Sequence, residues 1–367
     1  MELIATCAFG LEKIVYDELK KLGIWVIKKE DGKVFFKGEE KEIIETNLWL
    51  RCADRILIKL AEFPADNFDT LFDETFKLDW STIINKNASF PVLASSNRSK
   101  LTSCPAIQSI VKKAISKKIS QTTKEEVIPE NSSETFEIRT FLKNDVCTLT
   151  INTSGQSLHK RGYRENQIEA PIKETLAAAL VYLSNWDREN PLYDPFCGSG
   201  TIPIEAAMIA QNIAPGLKRE FYFYDWSHFS RDLFKEVYLD AQSKKTEKNL
   251  QIFASDLNPE AVKIAKYNAK NAGIQINFQT ENFLNLKLPN YNYTLITNPP
   301  YGERIGSPSE IFSIYKTLGA NFENSTKTAY YIFTAHPNFV TLFNQTPTKN
   351  RKLFNGKLQC YLYSYEK

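Results

Sequence analysis

Two short stretches combine residue types that can do chemistry. The first, Asp194-Pro195-Phe196-Cys197-Gly198-Ser199-Gly200-Thr201, follows the apolar run Pro191-Leu192-Tyr193 and opens the helix-like segment Ile202-Pro203-Ile204-Glu205-Ala206-Ala207-Met208-Ile209. An acid at a strand end, a glycine-bearing turn and a helix N-terminus make a cofactor cradle in a doubly wound sheet. Glycines let the backbone approach a ligand closely, and the free N–H groups of the first helical turn attract negative charge. The second stretch, Asn298-Pro299-Pro300-Tyr301, comes directly after the strand-like Tyr293-Thr294-Leu295-Ile296-Thr297. The Asn298 amide oxygen and a backbone carbonyl within Pro299-Pro300 can accept the two hydrogens of one amine. The prolines stiffen that turn and add no competing N–H donor. Tyr301 offers a ring face for a planar partner.

The elements that must hold these stretches can be read in order. Leu3-Ile4-Ala5-Thr6-Cys7 reads as a strand, and Leu11, Ile14, Val15, Leu19 and Leu22 follow at helical spacing up to Gly23. Trp25-Val26-Ile27 and Lys33-Val34-Phe35-Phe36 alternate around Asp31-Gly32, a tight hairpin dipeptide. A second helical pattern from Lys41 and the strand-like Arg55–Leu60 complete a β-α-β-β-α-β order, that of a small ferredoxin-like unit. Phe136–Leu142 and Val146–Asn152 form a hairpin across Lys143-Asn144-Asp145. Later strands are expected at Ile252–Ser255, Ile276–Thr280, Thr328–Thr334 and Leu358–Tyr363, and the aromatic-rich Phe221–Tyr238 is expected to cap the fold beside the cleft.

Composition narrows the function classes. The chain has 367 residues, 43% of them apolar, enough for two or three domains. A formal net charge of +3 gives no overall polyanion-binding signal, so position matters more than sum. Six cysteines without a CxxC pair and only three histidines argue against a zinc site or disulfide framework. The N-terminus shows no secretory pattern, and no apolar run of about 20 residues is present to span a bilayer. A cytoplasmic monomer without metal is expected. One region departs from the average: Trp80 to Lys124 holds Lys86, Arg98, Lys100, Lys112, Lys113, Lys117, Lys118 and Lys124 and no acid. Within it Ile107, Ile110, Val111, Ala114 and Ile115 mark a helix, so the lysines flank an apolar stripe. They form either a solvated helix face or a surface for a phosphate backbone.

Together the two chemical stretches resemble motifs I and IV of class I S-adenosylmethionine-dependent methyltransferases that act on exocyclic amines. Ser95-Ser96-Asn97-Arg98-Ser99-Lys100-Leu101, the basic helix and the closing hairpin resemble a THUMP domain, an RNA-binding module. Ser157-Leu158-His159-Lys160-Arg161-Gly162-Tyr163-Arg164 is similar to the linker that joins such a module to its methyltransferase, and Ala170–Leu180 to the helix before motif I, with Pro171 suited to its first turn. Over essentially its whole length the chain resembles the THUMP-containing guanine-N2 RNA methyltransferases of the bacterial large-subunit ribosomal RNA type.

The resemblance implies an α/β architecture. A C-terminal Rossmann-like class I methyltransferase with a seven-stranded sheet (171–367) would follow an α+β ferredoxin-like domain (1–62), a THUMP domain (63–155) and a linker (156–170). It implies S-adenosylmethionine as cofactor and RNA as partner. Gly198 and Gly200 would leave room for the methionine part and Asp194 would hold its ammonium, with Phe196, Ser199 and Thr201 completing the cradle. Asp256 would bind the ribose hydroxyls, unless it caps the helix that carries Ala261, Ile264 and Ala265. Asn282, where relatives usually carry Asp, would accept from the adenine amino group, and Phe283 would pack on the ring. Asn298, Pro299, Pro300 and Tyr301 would hold and stack the target base. Glu303 would read a guanine edge or pair with Arg304. Arg98, Lys100, Lys112, Lys113, Lys117, Lys118, Lys160, Arg161 and Arg164 would contact RNA. A transfer-RNA enzyme and an RNA-binding chaperone with a vestigial methyltransferase domain are the competing readings.

Overall fold

The computed structural model describes residues 1–85, 87–124, 134–164, 172–289, 291–302 and 307–367. Pro171, Glu303 and Arg304 lie outside the described residues. In the N-terminal half, β1 (Glu2–Cys7), α1 (Glu12–Lys21), β2 (Val26–Glu30), β3 (Lys33–Lys37), α2 (Glu40–Trp49) and β4 (Ala53–Pro64) give the β-α-β-β-α-β order. Next come α3 (Phe68–Lys77), α4 (Trp80–Ile83), β5 (Val92–Asn97), α5 (Cys104–Thr123), β6 (Ile138–Lys143) and β7 (Val146–Asn152).

These strands form one sheet, ordered β2-β3-β1-β4-β7-β6-β5. The join is β4, which pairs with β1 on one side and with β7 on the other. A boundary at residue 62 therefore falls inside a strand, because one backbone ladder serves both modules. Leu3, Ala5, Val34, Phe36 and Ile56 face the helices in the main core, whereas Ile4, Phe35 and Leu57, of opposite pleat, form a small cluster with Phe141 on the other face. Lys33 of β3 places its Nζ 3.8 Å from the ring centre of Phe141 on β6. Those strands are not neighbours, so the sheet curls towards that face.

In the C-terminal half α6 (Glu174–Leu183), β8 (Leu192–Asp194), α7 (Thr201–Ala210), α8 (Arg231–Ser243), β9 (Ile252–Asp256) and α9 (Pro259–Ala272) precede β10 (Asn277–Thr280) and β11 (Thr294–Thr297). Then come α10 (Pro308–Asn324), β12 (Ala329–Thr334), α11 (Phe339–Phe343), β13 (Lys349–Asn355) and β14 (Leu358–Glu366). The sheet order is β10-β9-β8-β11-β12-β14-β13, parallel from β10 to β12 with β14 antiparallel. Because β9 and β11 lie on opposite sides of β8, the chain switches direction there, and the crevice opens at the carboxyl ends of β8 and β11. Asp194 ends the first of these strands and Thr297 the second.

The halves share one core. Every residue of α7 is buried, as it lies between its own sheet and the neighbouring elements. Arg51 donates from Nη2 to the Ile213 carbonyl at 2.7 Å, and Gly216 passes so close to Asn47 that a Cβ there would sit 2.6 Å from its carbonyl oxygen. The Phe221–Tyr238 segment belongs to this seam rather than to a cap on the cleft. Trp226 stacks on Phe136 at 4.7 Å and donates from Nε1 to the Thr135 carbonyl, because these large rings bury most area against the N-terminal half.

Candidate active site

Asp194 is only 1% exposed. Its Oδ1 accepts from the Thr297 hydroxyl at 2.6 Å and from the Phe196 N–H at 3.3 Å. Its Oδ2 is buried with no hydrogen-bond partner among the described residues. Burial pushes the carboxyl up to about 7; the Thr297 and Phe196 donors oppose that rise and nearby Asp256 adds to it. An acceptor with this environment lacks a cation, which is the group an ammonium would supply. Thr297 was not among the residues singled out in the sequence. Its only signal was its place at a strand end, one position before Asn298.

The turn between β8 and α7 is held from β9. Asp256 accepts from the Gly198 N–H at 2.9 Å with one carboxylate oxygen and from the Asn258 N–H at 2.9 Å with the other. The cap of α9 is Asn258, which accepts from the Glu260 N–H, so Asp256 is not the helix cap. Asn268 of α9 donates to the Ser199 carbonyl at 3.0 Å. Gly200 has φ +83°, and a Cβ there would meet the Ala265 Cβ at 3.1 Å and the Phe278 ring at 3.3 Å, so the turn needs glycine twice over. The side chains of Ser199 and Thr201 are buried under this turn, which leaves their backbones to line it.

Beside the turn, Phe196 and Phe283 lie 5.0 Å apart. Asn282 caps a short 3-10 turn, its amide oxygen accepting from the Leu284 N–H at 3.0 Å, which leaves that carbonyl one further lone pair. Leu257 follows Asp256 and is 67% exposed, an apolar side chain that the fold leaves uncovered at the crevice. Sequence reasoning passed over it, since a leucine after a strand reads as core.

Asn298 repeats the pattern of Asp194: its Oδ1 is buried and accepts no hydrogen bond among the described residues. In the turn that follows, the Pro300 carbonyl accepts from the Tyr315 hydroxyl at 2.9 Å. Tyr315 lies on α10 and was also missed, because at helical spacing it reads as a core aromatic.

The cations divide. Lys112, Lys113 and Lys117 stand exposed on α5, as do Arg98, Lys100 and Lys160 elsewhere. Lys100 is nevertheless engaged, with Nζ 2.7 Å from Asp66. Lys117 and Lys118 lean over Phe72 and Phe76 of α3, a helix that also carries Asp69, Asp73 and Glu74. The acid-free stretch thus lies against acids from elsewhere in the chain. Arg161 and Arg164 are not surface cations, and the expectation that they contact RNA is corrected. Arg161 is 2% exposed, with Nε 3.4 Å from the fully buried Glu205 of α7 and Nη1 donating to the Leu158 carbonyl at 2.7 Å. Arg164 pairs with Glu174 at 2.8 Å and donates to the Thr201 hydroxyl at 3.2 Å. Both guanidinium groups are spent neutralising buried carboxylates, so neither is available to phosphate. The expected linker is therefore a packed seam, over the part described.

Residues 161–364 match the RMKL-like methyltransferase domain (UPF0020), residues 2–57 the RlmL ferredoxin-like domain and residues 65–152 the THUMP domain. The chain belongs to the RMKL-like methyltransferase family. YpsC of Bacillus subtilis (strain 168), a proposed RNA methyltransferase, is 42% identical over 99% of this chain and 95% of its own. The ribosomal RNA large subunit methyltransferase K/L of Shewanella frigidimarina (strain NCIMB 400) is 32% identical over 97% of this chain and 51% of its own, so this chain spans about half of that protein. Among solved structures, SMU.472, a proposed methyltransferase in complex with SAH (S-adenosylhomocysteine), superposes with TM-score 0.93 at 39% identity, covering 100% of this chain and 97% of its own. This RMKL-like chain joins a ferredoxin-like domain and a THUMP domain to the methyltransferase domain.

Proposed function

We propose that the protein methylates the exocyclic N2 amine of a guanine in structured RNA, with 23S ribosomal RNA as the substrate. The observation that carries this reading is the pair of buried acceptors without donors, Asp194 Oδ2 and Asn298 Oδ1, joined through Thr297. As a class I methyltransferase, the enzyme draws on S-adenosylmethionine, which when bound supplies an electrophilic methyl on a sulfonium. Asp194 Oδ2 would hold the ammonium of that cofactor, and Asp256 would offer its remaining lone pairs to the ribose hydroxyls. Phe196, Phe283, Leu257 and Asn282 would hold the adenine.

An exocyclic amine on a purine is a poor nucleophile because its lone pair is delocalised into the ring. Asn298 Oδ1 and a backbone carbonyl of the Pro299-Pro300 turn each accept one of its hydrogens, which draws electron density onto nitrogen. Tyr301 stacks the extruded base. Orientation and fixed dipoles supply most of the rate, and the product's proton leaves to solvent without a dedicated base. The exposed lysines of α5 hold the phosphate backbone without reading sequence.

The test is nucleoside mass spectrometry of ribosomal and transfer RNA from a deletion strain. Loss of N2-methylguanosine from 23S ribosomal RNA supports the reading. Loss from transfer RNA alone moves the substrate, and loss of an N6-methyladenosine instead refutes guanine as the target.

A further inference from the structure

The turn that carries Pro299 and Pro300 has no regular secondary structure of its own, so something outside it must fix which carbonyl points where. Tyr315 is fully buried in the second half of the catalytic core, and its hydroxyl lies 2.9 Å from the Pro300 carbonyl and 2.9 Å from the Thr334 hydroxyl. Thr334 is the last residue of β12 and is itself 1% exposed. Its oxygen accepts from the His336 N–H at 3.1 Å. The phenol ring is held edge-on between His336 and Phe339, with centroids at 5.3 and 5.0 Å.

Proton counting gives this network one direction. A carbonyl only accepts, so the single Tyr315 proton is committed to Pro300. The Tyr315 oxygen is then left as acceptor, and the single Thr334 proton is committed to it. The Thr334 oxygen is in turn free to accept from the His336 N–H. Every hydroxyl proton and every acceptor in the row is used once, and such a row strengthens each member.

The geometry points to Tyr315 as a positioning residue for methyl transfer, fixing the Pro299-Pro300 turn by occupying the Pro300 carbonyl. This rests on the reading that Asn298 and the proline turn hold the target amine. The consequence is specific: one lone pair of the Pro300 carbonyl is taken and its direction fixed, which favours the Pro299 carbonyl as the second acceptor beside Asn298 Oδ1. The row His336, Thr334, Tyr315 ties that choice to the carboxyl end of β12, next to the crevice. Because β12 is hydrogen-bonded to β11 on one side and β14 on the other, this row ties the turn to the body of the sheet.

The experiment compares Tyr315→Phe, Thr334→Val, Thr334→Ser and Asn298→Ala in the full chain. It measures kcat for methyl transfer to RNA with both substrates saturating, cofactor affinity by calorimetry, and thermal midpoint. Tyr315→Phe removes one oxygen and keeps the ring, so it should fold, bind cofactor within twofold of wild type, and lose about 10- to 100-fold in kcat, the scale of a small misplacement of a reacting group. Thr334→Val should show a loss in the same direction with the Tyr315 ring untouched, and it serves if Tyr315→Phe does not fold. Thr334→Ser keeps the donor and should restore the wild-type kcat. A purely structural tyrosine would lower the thermal midpoint and leave kcat where it was. Wild-type kcat in folded Tyr315→Phe, with Asn298→Ala inactive, overturns the positioning role alone. Wild-type kcat in Asn298→Ala overturns the site reading and this inference with it.

Discussion

At the rim of the catalytic sheet, acceptors are buried and denied donors: Asp194 Oδ2 and Asn298 Oδ1 meet no hydrogen among the described residues. On α5, by contrast, Lys112, Lys113 and Lys117 stand in water, and Lys117 leans over the Phe72 and Phe76 rings of the neighbouring α3. The first arrangement costs folding energy and concentrates the electric field on two points, where each group is worth several times what it would be in water. The second costs little, screens easily and spreads affinity over many weak contacts. Chemistry at a chosen nitrogen needs the former, and holding a long polyanion needs only the latter. Substitutions in the two regions should therefore differ in both size and character.

The buried side of the contrast is most severely tested at the seam. Arg161→Ala would leave Glu205 buried without its cation, with the Tyr163 hydroxyl still donating to it, which should destabilise the fold by about 3–5 kcal/mol in denaturant unfolding. The same change at exposed Lys160, one residue away, should stay within about 0.5 kcal/mol. Equal small effects at both positions would erase the distinction.

Next in size come the cradle carboxylates. Asp194→Ala and Asp256→Ala each remove an acceptor for a charged or multiply bonded group, worth roughly 1.5–3 kcal/mol. Calorimetry should record a loss of cofactor affinity on the order of tenfold to a hundredfold in each. Unchanged affinity in both variants would put the cradle elsewhere.

The pH dependence sharpens the same point. Burial raises the Asp194 carboxyl to about 7, so its neutral form favours the fold at low pH and that contribution is lost as pH rises through 7. Cofactor binding needs the charged form and runs the other way. Affinity should fall as pH drops below about 7, approaching tenfold per pH unit, and fall again above the amine's own value of roughly 7.7–8.0. In Asp194→Asn the acid limb should vanish from the calorimetric profile; a persisting acid limb would assign it to another group.

The smallest effects belong to α5. Lys112→Gln or Lys113→Gln alone should weaken RNA binding only a few-fold, lower the slope of log affinity against log salt by about 0.9, and leave cofactor affinity unchanged. Reversing Lys112, Lys113, Lys117 and Lys118 to Glu together should add these losses. Unaltered RNA binding in that variant would make the helix an ordinary solvated face.

The contrast also governs what could be read from the sequence. The cradle and the proline turn are contiguous, so Asp194, Gly198, Gly200 and Asn298 announced themselves through residue types that few other structures need. The parallel strands around them, short and β-branched or aromatic, were legible for the same reason. Arg161 and Arg164 misled because a linear chain does not reveal Glu205 and Glu174, the carboxylates that bury them. The basic stretch looked free of acids because Asp66, which pairs with Lys100, precedes it in sequence and meets it only in space. Lys349–Asn355 gave little sign of being β13, since charged and polar residues on an edge strand carry almost no hydrophobic alternation. Thr297 and Tyr315 act through single hydroxyls on otherwise ordinary core positions, which no pattern marks.

Single-turnover methyl transfer to RNA, with cofactor saturating, bears most directly on whether Asn298 holds the amine. Asn298→Ala should fold, bind cofactor and RNA, and lose on the order of a hundredfold to a thousandfold in rate, because the missing contact strengthens only as the nitrogen pyramidalises. Asn298→Asp keeps an acceptor of nearly the same shape and should fall between the Ala variant and wild type. An Ala variant within threefold of wild type would contradict the account.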